Sequence, residues 1–152
     1  VKEAAVSFLV YADGSCLGPR GIGGYCAVIV APDGTQRIVT GASEGATTNN
    51  IMELMAAIVG LEAIAEPGAI QLRSDSQYVV TGLNERLTLW KANGWRTTNN
   101  TPIKNRDLWE RLDRAAARHL VEGVWVRGHD GDPMNERADR LARAAAEKEA
   151  AR

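Results

Sequence analysis

The sequence predicts an α/β domain built on a mixed five-stranded sheet, an antiparallel meander joined to parallel strands and flanked by helices. Three observations predict it. Residues 6–40 read as three strands joined by short turns. From Ile51 the apolar spacing changes to steps of three and four residues, which is helical. Beyond Gly68, short apolar runs alternate with further helical stretches, so strands and helices share one sheet.

Each element follows in order. Val6, Phe8, Val10 and Ala12 alternate with Ser7, Leu9, Tyr11 and Asp13, which is strand period, and Asp13 is placed at the strand end before Gly14. A glycine-rich bend from Gly14 to Gly24 leads to a second strand, Tyr25 to Val30. Ala31-Pro-Asp-Gly-Thr35 is a tight-turn signature, and Gln36 to Thr40 returns as a third strand. Ile51, Leu54, Ile58, Leu61 and Ile64 then mark a helix that Pro67-Gly68 ends. Ile70 and Leu72 form a short buried strand, reached by a helical crossover and therefore predicted parallel to the first. Helices follow from about Ser76 and through Leu108, Leu112 and Ala115, with an irregular excursion at Asn93-Gly94 and Thr97 to Pro102 and a short extra helix before Trp95. Val121 to Arg127 is the fifth strand, and Asp132-Pro133 opens a last helix with proline at its first position.

Composition narrows the class. The 152 residues suit one well-cored domain, read as 1–152 with no separate substrate-binding domain, and 45% hydrophobic with 24% charged residues is globular rather than disordered. No apolar run approaches the roughly 18 residues of a membrane span, and no basic-then-apolar leader opens the chain. Cys16 and Cys26 are too few for a disulfide framework, so the expectation is a reduced, cytoplasmic protein. Net charge is −1, but residues 66–120 carry nine basic against six acidic side chains, which permits phosphate contact there.

Four acids stand where strands end or helices begin: Asp13, Glu53, Asp75 and Asp139. Each has a purely structural alternative. Asp13-Gly14 has the composition of a turn, Asn50 and Glu53 have capping-box spacing, Asp75 is placed to cap the next helix, and Asp139 to pair with Arg143. Their mutual placement points further. If the first and fourth strands are parallel neighbours, Asp13 and Asp75 meet at the carboxyl edge of the sheet. Clustered carboxylates repel unless a hard cation such as Mg²⁺ or Mn²⁺ sits among them.

Five segments carry a family pattern: Tyr11-Ala-Asp-Gly-Ser-Cys-Leu-Gly18, Thr47-Thr-Asn-Asn-Ile-Met-Glu-Leu-Met-Ala-Ala-Ile58, Ser74-Asp-Ser-Gln-Tyr78, Lys104-Asn-Arg-Asp-Leu-Trp109, and Val126-Arg-Gly-His129 through Asn135-Glu-Arg-Ala-Asp139. In order and spacing, from about Val6 to Ala146, they resemble the signature blocks of type 1 ribonuclease H. The resemblance implies an RNase H-like sheet and a monomeric endoribonuclease that cuts the RNA strand of RNA·DNA hybrids, leaving 5′-phosphate and 3′-hydroxyl ends. It implies that Asp13, Glu53, Asp75 and Asp139 hold two divalent ions, Mg²⁺ with Mn²⁺ as the alternative, and that His129 transfers a proton or aids product release. It further assigns Asn49, Asn50 and Gln77 to minor-groove contacts, Thr48 to a phosphate pocket, Cys16 to the hybrid backbone, and Trp90 with Lys91 to the DNA strand. Thr48 and one of the asparagines also have helix capping as an alternative.

The pattern has departures. Between Arg86 and Lys104 the basic residues are only Arg86, Lys91, Arg96 and Lys104, with Ala92 and Asn93 where strongly basic relatives continue the run. Arg86 stands where an aromatic is usual, and Pro19 where an asparagine is. Cys26 is read as core. His119 is read as structural, near a helix C-terminus where a cationic imidazole is favoured. A DNA-cutting nuclease of the same superfamily and a noncatalytic hybrid binder are the competing functions. The Thr-Thr-Asn-Asn run beside Glu53 favours hybrid recognition over the first, and four acids beside phosphate disfavour the second.

Overall fold

A computed structural model describes residues 7–18, 21–127 and 131–152. Its strands are β1 (Phe8–Cys16), β2 (Ile22–Val30), β3 (Gln36–Ala46), β4 (Ala69–Ser74) and β5 (Leu120–Trp125). Its helices are α1 (Asn49–Glu62), α2 (Gln77–Thr81), α3 (Leu87–Ala92), α4 (Arg106–Ala116) and α5 (Pro133–Ala150), with a π-helical turn, Gly82–Arg86, joining α2 to α3. The strands form one sheet in the order β3-β2-β1-β4-β5. β1–β2 and β2–β3 pair antiparallel; β1–β4 and β4–β5 pair parallel, as the crossover predicted.

Alternation along the central strands divides the interior in two. Val10, Ala12, Ala27 and Ile29 join the core under α1 and α4, whereas Tyr11, Cys26 and Val28 join Ala138 and Ala142 of α5 on the other face. α1 buries more than one stripe, including Met52, Leu54, Ile58 and Leu61, because it lies between the sheet and α4. Trp109 of α4 is fully buried and meets Tyr78 and Trp90 edge-on at ring distances of 5.3 and 5.1 Å. Its indole N–H donates to the Tyr78 hydroxyl at 3.0 Å. Asp132 caps α5 by accepting from the backbone N–H groups of Met134 and Asn135, with Pro133 opening the helix.

Several strand ends differ from expectation: β2 begins at Ile22 rather than Tyr25, and β5 spans Leu120–Trp125 rather than Val121 to Arg127. β1 does not stop at Asp13 but runs to Cys16, pairing Gly14, Ser15 and Cys16 with Tyr25, Gly24 and Gly23 of β2. β3 continues past Thr40 to Ala46. Glycines that read locally as a bend are tolerated in the ladder because helix backbone passes over them. A Cβ on Gly14 would fall within the backbone of Met52 and 2.5 Å from the Glu53 nitrogen, and one on Gly24 would fall 2.6 Å from the Ala146 nitrogen.

Gly14→Ala should therefore lower stability by about 1–3 kcal/mol or more, since helix backbone and not a pliable side chain would have to give way. Gly45→Ala, whose added Cβ meets nothing within 4 Å, should behave as wild type. Urea unfolding midpoints of the two variants check this; equal midpoints would show that α1 does not lie against β1 as described.

Candidate metal and phosphodiester site

The site begins with register. β1 and β4 pair in parallel up to Tyr11 opposite Arg73, and two residues further along each chain stand Asp13 and Asp75. Asp13 remains inside β1 and is 3% exposed; Asp75 is the first residue past β4. Glu53 arrives from α1 across the Gly14 contact. One oxygen from each of Asp13, Glu53 and Asp75 lies within 4.8 Å of the others. The Gly14 N–H binds two of these carboxylates at once, donating to Asp13 Oδ1 at 3.0 Å and Glu53 Oε1 at 2.9 Å. Asp139, on α5, is not one of the three, but its charge acts on Asp13 and raises its pKa.

The structural alternatives for these acids are taken by other residues. Ser76, not Asp75, caps α2, its hydroxyl accepting from the Val79 N–H at 3.2 Å. Thr48 caps α1 by accepting from the Ile51 N–H, so Asn50 and Glu53 form no capping box. Among the described residues, Asp139–Arg143 is not one of the ion pairs. Glu53 and Asp75 are thus left to the cluster, with Asp139 of α5 near enough for its charge to act on Asp13.

Burial, then the charges of Asp75 and Asp139, push the Asp13 carboxyl up to about 8. Burial, then Asp13 and Asp75, push Glu53 to about 10. Both carboxyls are therefore raised by burial and by the company of other carboxylates. Without a cation this cluster holds protons at neutral pH, and an all-oxygen donor set of this density suits a hard divalent ion that would replace them.

The other candidate residues fall into two concavities. Cys16, Thr48 and Asn49 line one with Gly18 and Thr47, where the Cys16 sulfur lies 3.2 Å from the Gly18 carbonyl oxygen. Asn49 and Asn50 are exposed at the start of α1. Gln77 and Trp90 line the second with Tyr78, Thr81 and Arg86. Lys91 does not join them: its ammonium lies 3.3 Å from Asp113 of α4. Arg96 is likewise engaged, donating to the Asn100 carbonyl and side chain at 2.6 to 3.2 Å.

Cys26 is core, its thiol pushed up to about 11 by burial. His119 differs from expectation. Burial and Arg118 lower its pKa, and its Nδ1 accepts from the Gly68 N–H at 3.3 Å, so it is a neutral acceptor rather than a cation at a helix end. His129 and Pro19 lie outside the described residues. Sequence reading gave Trp125 no role beyond its strand, yet its indole N–H donates to the Asp75 carbonyl at 3.1 Å. The one available signal was an aromatic residue at the carboxyl end of a strand, beside the segment that carries His129.

Fold and cluster together define an α/β domain whose acidic site is suited to divalent ions at the carboxyl edge of its parallel strands. Comparison with known proteins narrows that class. The RNase H family model matches residues 5–147. Ribonuclease HI of Caulobacter vibrioides is 51% identical over 133 residues, covering 88% of each chain, and ribonuclease H of Tolumonas auensis is 50% identical over 137 residues, covering 90% of this chain and 88% of that one. The crystal structure of LC9-RNase H1, described as a type 1 RNase H with the type 2 active-site motif, superposes with a TM-score of 0.85 at 33% identity over 97% of this chain and 76% of that one. The chain belongs to the RNase H family, whose members are metal-dependent nucleases. No helix among the described residues is long and apolar enough to cross a membrane.

The raised carboxyls tie stability to pH. Unfolded carboxyls titrate near 4. The stability that Asp13 and Glu53 contribute is full below that pH and is lost as the pH rises through about 8 and about 10. In EDTA, Tm should therefore fall from pH 5 to pH 9 more steeply for wild type than for Asp13→Asn, and saturating Mg²⁺ should remove most of the excess slope. Parallel curves in EDTA would mean that the cluster carries no such protons.

Proposed function

We propose that this chain is an endoribonuclease that hydrolyses the RNA strand of RNA·DNA hybrids, using Asp13, Glu53, Asp75 and Asp139 to hold two divalent metal ions. The observation that carries this is the three-carboxylate cluster within 4.8 Å, standing beside the exposed asparagines that open α1. Mg²⁺ is the ion we expect, with Mn²⁺ able to replace it. Bound ions supply the Lewis acidity that an in-line displacement at phosphorus requires. The reaction leaves 5′-phosphate and 3′-hydroxyl ends, the chain acts as a single-domain monomer, and its two free cysteines support a reducing, cytoplasmic setting.

The chain's own residues divide the remaining work. Asp13 and Asp75 present charge where the two parallel strands diverge, and the Gly14 N–H fixes the orientation of the Glu53 carboxyl. Asn49, Asn50 and Gln77 supply amide donors and acceptors to a minor groove, where RNA displays its 2′-hydroxyls. Cys16 and Thr48 border the concavity offered to the backbone, and Trp90 with Arg86 the one offered to the DNA strand. Lys91 contributes there when it leaves Asp113. His129 moves a proton near the scissile phosphate.

Asp13→Asn and Asp75→Asn should each abolish cleavage while leaving hybrid binding intact, because the amide removes ligand charge at nearly constant volume. With each strand labelled in turn, only RNA opposite DNA should be cut, and duplex DNA should survive. Turnover in either variant, or equal cutting of duplex DNA, would refute the assignment.

The basic segment yields a separate expectation. With Lys91 paired to Asp113 and Arg96 holding Asn100, few phosphate contacts remain, so KM for hybrid should be comparatively high and its salt dependence shallow. Ala92→Lys adds an exposed cation, whereas Asn93 donates to the Arg96 and Thr97 carbonyls and is needed where it stands. Ala92→Lys should lower KM and steepen the salt slope by up to about 0.9 with kcat unchanged, since the added binding is shared by ground and transition states. Steady-state kinetics at several salt concentrations decide it. An unchanged KM and slope would take this segment out of the interface.

A further inference from the structure

We infer that Trp125 is a positioning residue for the metal site: its indole N–H holds the Asp75 peptide so that the Asp75 carboxylate stays aimed into the cluster. The inference rests on the metal-site reading above and adds to it a residue that sequence blocks and comparisons leave without a role.

The turn from β4 into α2 explains why such a holder is needed. Ser74 is fastened on both its polar sides, its carbonyl accepting from the Val126 N–H at 2.9 Å and its hydroxyl from the Ser76 N–H at 3.0 Å. Ser76 is fastened as the cap of α2. Asp75 lies between them, outside both strand and helix. The Val79 N–H that would otherwise turn toward its carbonyl bonds to the Ser76 hydroxyl instead. The Asp75 carbonyl is therefore free of the helix ladder, and it accepts from Trp125 Nε1 at 3.1 Å.

Register brings the indole there. Trp125 pairs with Ser74 across the parallel β4–β5 ladder, so the last residue of β5 stands beside the turn that carries the carboxylate. Trp125 is 42% exposed, more than burial alone would select for a tryptophan, and its one polar side-chain atom is directed at the turn. A hydrogen bond to the peptide that carries a ligand acts on the ligand's direction and not on its charge. Partners of this kind commonly alter metal affinity by 10–100-fold.

The test separates direction from packing. Trp125→Phe keeps an aromatic side chain, though a smaller one, and removes the donor; β-(3-benzothienyl)alanine at position 125 removes the N–H at nearly constant shape, and is used if the Phe variant does not fold. Mn²⁺ affinity is measured by calorimetry on the free protein, without substrate, for wild type, Trp125→Phe, Asp75→Asn and the double variant, alongside Tm in EDTA. The expected result is affinity weakened on the order of 10-fold by loss of the donor, with Tm in EDTA nearly unchanged. No further weakening should occur in the Asp75→Asn background. In turnover, the Mg²⁺ concentration for half-maximal rate should rise while KM for hybrid and kcat at saturating Mg²⁺ hold. Mn²⁺ affinity equal to wild type, or an equal loss in both backgrounds, would overturn the role of Trp125 and leave the metal site standing. Failure of the wild-type chain to bind Mn²⁺ at all would overturn both.

Discussion

The close approach of α1 to β1 at Gly14 is the constraint on which the rest depends. A helix ordinarily rests on a sheet through side chains on both sides, at a distance that keeps the two backbones apart. Here the absence of a Cβ lets the Met52–Glu53 backbone come down onto the strand, and the Gly14 N–H then reaches both the Asp13 and Glu53 carboxylates. Had α1 stood one side-chain layer higher, Glu53 would point at the sheet from too far away to share a cation with Asp13. A packing detail and a chemical one are the same contact.

The cluster itself works against folding. Three carboxyls within 4.8 Å, one of them almost fully buried, lose solvation and repel one another, and the raised pKa values of Asp13 and Glu53 express that cost. It is tolerated because the supporting frame is overdetermined. β1 is flanked by two strands and covered on both faces, by α1 and by α5, and the turn after β4 is tied by Ser74, Ser76 and Trp125. Rigid surroundings hold like charges together, and a divalent cation is the natural way to relieve them.

The segment around Trp90 is built differently. Trp90 is anchored through Trp109, so its position belongs to the core, while the cations near it are occupied: Lys91 with Asp113, Arg96 with Asn100. A surface ion pair such as Lys91–Asp113 is weak and exchangeable. Arg96, held by a neutral amide, keeps its charge, so of these two cations only Lys91 is offset by an acid, and the carboxylates at the sheet edge stand on a separate part of the chain.

What the sequence determined by itself was whatever local spacing encodes. Element order, the parallel placement of β4 beside β1 and the identity of four candidate acids all follow from periodicity, turn residues and signature blocks, because strand and helix periods depend only on neighbouring side chains. Tertiary structure decided what depends on residues far apart. Gly14 reads locally as a bend, and only the α1 backbone above it explains why β1 continues to Cys16. Asp75 could have capped α2 until Ser76 took that place, and Lys91 reads as a free cation until Asp113, 22 positions on, closes upon it. His119 reads as a cation at a helix end, but burial and Arg118 lower its pKa, and its Nδ1 accepts from the Gly68 N–H, 51 positions earlier. Trp125 shows locally only as an aromatic at a strand end; its partner lies 50 residues earlier and is a backbone carbonyl, an atom that every residue carries and no sequence pattern marks.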